Sequence, residues 1–385
     1  MKEQRSKSNK KFMVLSAIGI FMVVDSHTFT TFHFFGDFIP YNSFFMPMFV
    51  FISGYFNKVD SNTKLPAYVW KKVKTLLVPF LGLSCFVFLI QQLMDWYKLG
   101  ERPAIASWYL SYTLERVLTI GAFAPIAEPT WFVLTLFTVL ILYAVIKKFL
   151  ARFWNSYVAL GIFICLHLLS VYLAKNILPT ASPYFLLPVK CMFFLPFLEL
   201  GILYRERLEK KHESLSGGWK IALLFALLLI NMIRTVYLPA PYDVAFDSLD
   251  DLSGFTSPYL ITPLVSSLVG ILFWLTMVEL LGKPVYESKF VNFMSCNTFW
   301  IMALQIMFFN LLNCVLMFIS MHLIELPYFD VEAFQGSEWY FWEWSLNLKL
   351  LYVVAGILGP LGVKAIWDKI RAFVGGKLTR DKKGE

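Results

Sequence analysis

Apolar residues run along this chain in long stretches, and polar residues are confined to the gaps between them. The stretches lie near 12–32, 39–56, 75–94, 130–146, 156–174, 185–204, 220–238, 258–281, 293–322 and 346–363. A helix crossing a hydrocarbon layer of ~30 Å needs roughly 20 mostly apolar residues. The pattern therefore predicts an all-α polytopic membrane protein with about ten transmembrane helices. The longest polar intervals, 95–129 and 323–345, are loop-sized, so one membrane domain is expected to cover 1–385. No internal repeat is apparent, which withholds the usual sequence pointer to a secondary transporter.

Charge orients the helices. Of the 34 Lys and Arg residues, 27 fall in 1–11, 57–74, 147–155, 205–220, 282–290 and 364–385, which are alternate gaps. The intervening gaps hold Lys98, Arg102, Arg116 and Lys175, together with acids such as Asp243, Asp247, Glu325, Glu338 and Glu343. Loops rich in Lys and Arg stay cytoplasmic, so both termini are expected inside. The net charge of +8 then reads as a topology and inner-leaflet signal, and no nucleic acid partner is expected. Composition agrees, with 58% hydrophobic and 16% charged residues against about 45–50% and 25% in soluble domains. The first span is too long for a cleavable signal and has no small-residue cleavage site. Cys85, Cys165, Cys191, Cys296 and Cys314 lie in apolar stretches without CxxC spacing, which predicts buried free thiols and no metal site. The basic segment 364–385 reads as a short amphipathic helix against the inner leaflet.

Ionisable groups inside a span are costly and usually functional, which singles out Asp25-Ser26-His27. His27 is placed in the outer half of the membrane, and imidazole suits general-base chemistry near neutrality. On a helix, Asp25 and His27 stand about 200° apart, so a direct dyad is not expected and Asp25 should meet another helix. Lys71 and Lys74, at i and i+3, share a helix face and could grip a phosphorylated donor, although positive-inside anchoring also explains them. Ser53-Gly54 allows close backbone approach. The Glu338–Trp344 run mixes acids and aromatics; an interfacial belt is the first reading and a sugar-stacking surface the second. Glu199 is expected to pair with a lysine of a neighbouring loop. Lys190 and Arg234 should snorkel, meet outer-loop acids or bind an anionic acceptor. His167 and His322 read as structural, and His33 as the second choice of base.

An ordered set of segments resembles the integral-membrane acyltransferase-3 family, which includes O-acetyltransferases of bacterial surface polysaccharides. It comprises Ala17 to His27, Met46-Pro47-Met48-Phe49 to Ser53-Gly54-Tyr55, Lys71 to Pro79, Pro129-Thr130-Trp131-Phe132, Leu195-Pro196-Phe197 with Leu200-Gly201, and Asn297-Thr298. The resemblance implies transfer of an acyl group, expected to be acetyl, from cytoplasmic acyl-CoA to a hydroxyl of an exopolysaccharide, lipopolysaccharide or lipid-linked glycan. It makes His27 the catalytic residue, Lys71 and Lys74 the counterparts of a cytoplasmic basic pair, and Ser53, Gly54, Tyr55, Asp25 and Trp131 site-lining residues. It also implies a bacterial inner-membrane location, acetyl-CoA as a substrate with no bound cofactor, and membrane lipid and polysaccharide-synthesis machinery as partners. One position departs. The family carries Arg or Lys eleven residues before the histidine, and here that residue is Ser16. Either Lys11, Lys71 or Lys74 supplies the cation, or the donor is held differently, or activity is altered. The family's late-span histidine is also replaced, with Gln305 in its neighbourhood. A transporter of a polysaccharide or lipid-linked sugar is the alternative that the Ser16 departure favours, and a scaffold for a polysaccharide synthase is the third.

Overall fold

The computed structural model describes residues 2–28, 34–36, 39–60, 62–99, 115–123, 125–177, 182–237 and 260–381. Among them there are helices and turns but no strand. The helices are α1 Lys2–Ser26, α2 Phe45–Phe56, α3 Leu65–Leu99, α4 Trp131–Phe149, α5 Ser156–Asn176, α6 Leu186–Glu213, α7 Gly217–Tyr237, α8 Thr262–Leu281, α9 Lys289–Cys296, α10 Thr298–His322, α11 Val331–Gly336 and α12 Leu346–Asp381. Eight are long and apolar enough to cross a membrane by themselves, as the requirement that lipid-facing backbone bond internally demands. The protein is an all-α polytopic membrane protein.

Each predicted stretch has its helix, with boundaries that differ for local reasons. Residues 39–44 are not helical: Pro40 precedes a 3-10 turn at Tyr41–Ser43, and α2 is left with twelve residues. The third helix starts ten residues early at Leu65 and runs unbroken to Leu99 through a π-helical turn at Val73–Leu77. A second π turn, Tyr204–Leu208, extends α6 to Glu213. The basic tail is no separate helix, because α12 continues without a break to Asp381. The end of the first predicted span (29–32), His33 and the acidic outer loop 238–259 lie outside the described residues. The five cysteines are free, but Cys85, Cys165 and Cys296 face outward instead of being buried.

The middle of the bundle is α6, 78% buried over its apolar window against 17% for α7 at the edge. Its closest neighbour is α2, and two glycines explain why. A Cβ on Gly54 would lie 2.1 Å from the Leu198 carbonyl oxygen, and one on Gly201 would lie 2.1 Å from the Phe51 carbonyl oxygen. Small residues let backbones approach in this way. Backbone oxygens cannot rotate aside, so Gly54→Ala or Gly201→Ala must open the crossing. The expected cost is at or beyond the upper end of the ~1–3 kcal/mol typical of overpacking. Thermal unfolding of the detergent-solubilised protein checks this, with Gly82→Ala, whose Cβ meets nothing within 4 Å, as the silent control.

Candidate functional site

The outer end of α1 runs out of backbone partners, as every helix C-terminus does. Here side chains take over. Ser26 Oγ donates to the Val23 carbonyl at 2.9 Å, His27 Nδ1 lies 2.5 Å from the same oxygen, and Thr28 Oγ1 donates to the Asp25 carbonyl at 2.7 Å. His27 is therefore in the turn beyond the helix, and the helical-wheel angle to Asp25 does not describe it. The two side chains nevertheless go different ways. Asp25, fully buried, has its Oδ1 2.8 Å from Lys349 Nζ on α12 and its Oδ2 accepting from Phe34 N at 3.0 Å. Lys349 also donates to Thr28 Oγ1 at 2.9 Å. A cation at a helix C-terminus also complements its dipole.

Donation to Val23 puts the proton of a neutral His27 ring on Nδ1 and leaves Nε2 with the lone pair, the arrangement a general base needs. Two groups bracket the ring. The Gln305 side-chain amide of α10 is 3.5 Å from Nδ1, and the Trp339 indole stacks on the imidazole, centroids 5.9 Å apart and planes 23° apart. Trp339 comes from loop 323–345. It folds back into the bundle: Asn310 Nδ2 donates to the Glu338 carbonyl at 2.7 Å, Asn313 Nδ2 to the Tyr340 carbonyl at 2.8 Å, and Gln335 Nε2 to the Lys98 carbonyl at 2.6 Å. The side chain of Glu338 accepts from Gln91 Nε2 at 3.3 Å. Sequence reasoning missed Trp339, Lys349, Asn310 and Asn313 as neighbours of the site. Their signal was present, since amides within a span must face protein.

Ser16 is on α1 itself, eleven residues before His27 in the turn beyond it. Both are half-buried, whereas Ile20 and Val23 between them are sealed. Ser16 Oγ is spent on its own helix, donating to the Phe12 carbonyl at 2.8 Å. Exposure along this stretch is thus partial at Ser16 and His27 and absent at Ile20 and Val23. A cavity of about 770 Å³ lies elsewhere: Val14, Ala17, Ile18 and Phe21 line it from α1, with Phe273 and Met277 across, and its walls are apolar.

At the inner end, Lys11 does not face an open mouth. Its ammonium lies 3.1, 3.2 and 3.3 Å from Glu209, Glu213 and Glu279. Tyr55 joins the same cluster, its hydroxyl donating to Glu209 at 2.8 Å, while Lys220 pairs with Glu279 at 2.9 Å. Buried charges require such pairing, and Lys11 is engaged there and not presented to a nucleotide. Lys71 and Lys74 are exposed, but the π turn beginning at Val73 means that regular i, i+3 geometry does not set their relation. Lys74 lies over the Trp70 ring at 5.1 Å. Beside the start of α3, Lys58, Lys147, Arg205 and Trp154 line a polar pocket of about 380 Å³ with Asp60 and Glu206.

The remaining sequence candidates divide. Ser53 is half-buried beside Gly54. Trp131 is buried with Lys190 Nζ 4.2 Å from its ring centre, and Lys190 donates to the Ile120 carbonyl at 3.1 Å, so it does not snorkel. Arg234 is buried and donates to Asn231 at 2.5 Å. Glu199 accepts from the Tyr143 hydroxyl at 2.5 Å, where a lysine pair was expected. His167 bonds the Phe193 carbonyl at 2.9 Å within the core, which is a structural role. Among the described residues no cluster of His, Cys, Asp and Glu fits a metal ion.

One family model matches the chain, over residues 12–358, and its description is "Acyltransferase domain". The search of curated proteins and the search of solved structures each return no match.

Proposed function

The chain belongs to the acyltransferase-3 family and is a membrane acyltransferase, and from that premise we propose that it moves an acetyl group from cytoplasmic acetyl-CoA to a hydroxyl of a surface or lipid-linked glycan in a bacterial inner membrane. The observation that carries this reading is His27: a half-buried imidazole with Nδ1 fixed on Val23, Nε2 left basic, and polar and aromatic neighbours from α10 and the outer loop. In the proposed step His27 Nε2 takes the proton of the acceptor hydroxyl as its oxygen attacks the thioester carbonyl. The C–S bond breaks, and the proton passes to the departing thiolate as CoA leaves. General-base help of this kind contributes about 10²–10⁴-fold.

The donor enters from the inside. Lys11 is neutralised by acids, and Ser16 offers no charge. We assign the phosphates of CoA to Lys71 and Lys74, with Lys58, Lys147 and Arg205 in the adjoining pocket as auxiliary cations. The thioester must then part the sealed Ile20–Val23 stretch, roughly 16 Å of helix rise between Ser16 and His27. Loss of a charge-assisted bond to a phosphate weakens binding more than chemistry. Lys71→Gln and Lys74→Gln are therefore each expected to raise the KM for acetyl-CoA roughly ten-fold with kcat nearly unchanged; an unchanged KM in the double variant moves the donor elsewhere.

The decisive experiment supplies acetyl-labelled acetyl-CoA to purified protein in lipid nanodiscs. The acceptor is lipopolysaccharide or exopolysaccharide from cells lacking the gene. An acetyltransferase liberates CoA thiol and labels the glycan. A transporter or scaffold does neither, and absence of both products from protein that is folded and supplied with its own cell's glycan removes the enzymatic reading.

A further inference from the structure

Nothing about acyl transfer requires a tryptophan on the base. Yet the Trp339 indole lies against the His27 ring on the side of the outer loop, and the loop that carries it is held in place by five buried or half-buried polar anchors: Asn310, Asn313, Gln91, Gln335 and Lys98. Three of these, Gln91, Asn310 and Asn313, are amides within spans, where polar groups are costly unless bonded, and here their bonds fix the loop. Trp339 and its neighbour Glu338 are both half-buried.

We propose that Trp339 is a specificity-determining residue that selects a sugar hydroxyl over water at His27: the indole screens the imidazole from the outer aqueous phase and gives way to a sugar ring of the acceptor, whose hydroxyls bond the Glu338 carboxylate. The inference rests on the acyltransferase reading. Water is the competitor that any base-assisted acyl transfer must exclude. If water reaches Nε2, its proton goes to His27 and its oxygen to the acyl carbon, the thioester C–S bond breaks, and acetate and CoA thiol are released with no glycan product. Excluding water also strengthens the electrostatics of the site. The occupant is a sugar because the outer wall offers one flat π face, which attracts the weakly positive C–H face of a pyranose, beside a carboxylate that accepts hydroxyl protons. An apolar lipid tail would bring no hydroxyl donor to the Glu338 carboxylate, and an anionic acceptor would be repelled by it.

The test uses the full protein in inside-out membrane vesicles from glycan-producing cells, given acetyl-labelled acetyl-CoA, with labelled acetate and labelled glycan both counted. Wild type should put most label on glycan. Trp339→Ala, and Trp339→Leu as the variant that keeps bulk, should shift the acetate-to-glycan ratio at least ten-fold towards acetate, and Trp339→Phe should restore it in large part. A second readout does not depend on catalysis: in right-side-out vesicles, peptide-resolved modification of His27 by diethylpyrocarbonate added to the medium should be about ten-fold faster in Trp339→Ala. His27-dependent turnover with an unchanged ratio, or an unchanged modification rate, overturns the inference and leaves the acyltransferase reading standing. Absence of any His27-dependent turnover in wild-type vesicles overturns that reading, and this inference with it.

Discussion

His27→Asn should abolish measurable acyl transfer, a fall of about 10²–10⁴-fold, while the protein stays as stable as wild type. The choice of asparagine follows from the double role of the ring. His27 Nδ1 helps to satisfy the Val23 carbonyl at the end of α1, so alanine removes a cap along with the base. The cap is a small part of the effect, because Ser26 Oγ also donates to that carbonyl and a single hydrogen bond contributes a net ~0.5–1.5 kcal/mol. Asparagine keeps an N–H donor near Val23 and offers nothing that can accept a proton near neutral pH. Activity and stability therefore separate: thermal unfolding unchanged within about a degree, label transfer gone. Transfer in the asparagine variant within a few-fold of wild type would falsify the general-base role and pass it to a group outside α1.

Sequence and structure agree best where the physics is local. Apolar stretches of span length became helices because the hydrocarbon layer leaves the backbone no other way to satisfy its hydrogen bonds. The departures in the fold are local too: Pro40 and the turn after it shorten α2, and π turns at Val73–Leu77 and Tyr204–Leu208 carry α3 and α6 beyond their apolar stretches. Much less of the site was legible. His27 could be picked out as an ionisable group in a predicted span, and its separation from Asp25 was expected, though on a helical angle that does not hold for a residue in the turn beyond α1. The partner of Asp25, however, is Lys349, on the last helix. Nothing periodic in either helix announces that pairing, which exists only once α1 and α12 are side by side. Lys11 shows the same limit in reverse. Its position at the inner edge of α1 suggested a donor grip, and the three glutamates that occupy it come from α6 and α8. The inward fold of loop 323–345 rests on one observation the sequence held, that Asn310 and Asn313 are spaced to face one side of α10 and would need backbone partners there.

Breaking the Asp25–Lys349 pair should unfold the outer half of the bundle more effectively than any change at His27. Both side chains are almost wholly buried, 0% and 1% exposed. Removing one member leaves an uncompensated charge, a loss of about 3–5 kcal/mol, whereas removing both is often close to neutral. Lys349→Met takes the cation away from the buried Asp25 carboxylate, which keeps the Phe34 N–H as one donor. Asp25→Asn keeps an acceptor for Phe34 N but leaves the Lys349 ammonium on Thr28 Oγ1 and the face of Phe34, 5.9 Å away. Each single variant is thus expected to lose several kcal/mol, seen as a large drop in unfolding temperature and in yield of monodisperse protein. The double variant Asp25→Asn/Lys349→Met should recover most of that loss, which gives a coupling energy well above the ~0.3–0.5 kcal/mol scatter of independent sites. Activity should not recover with it. The ion pair fixes the turn that carries His27 against α12, and a neutral amide–thioether contact holds that turn less firmly. A double variant as unstable as the sum of its parts would show that the two charges act separately, and would detach the placement of His27 from α12.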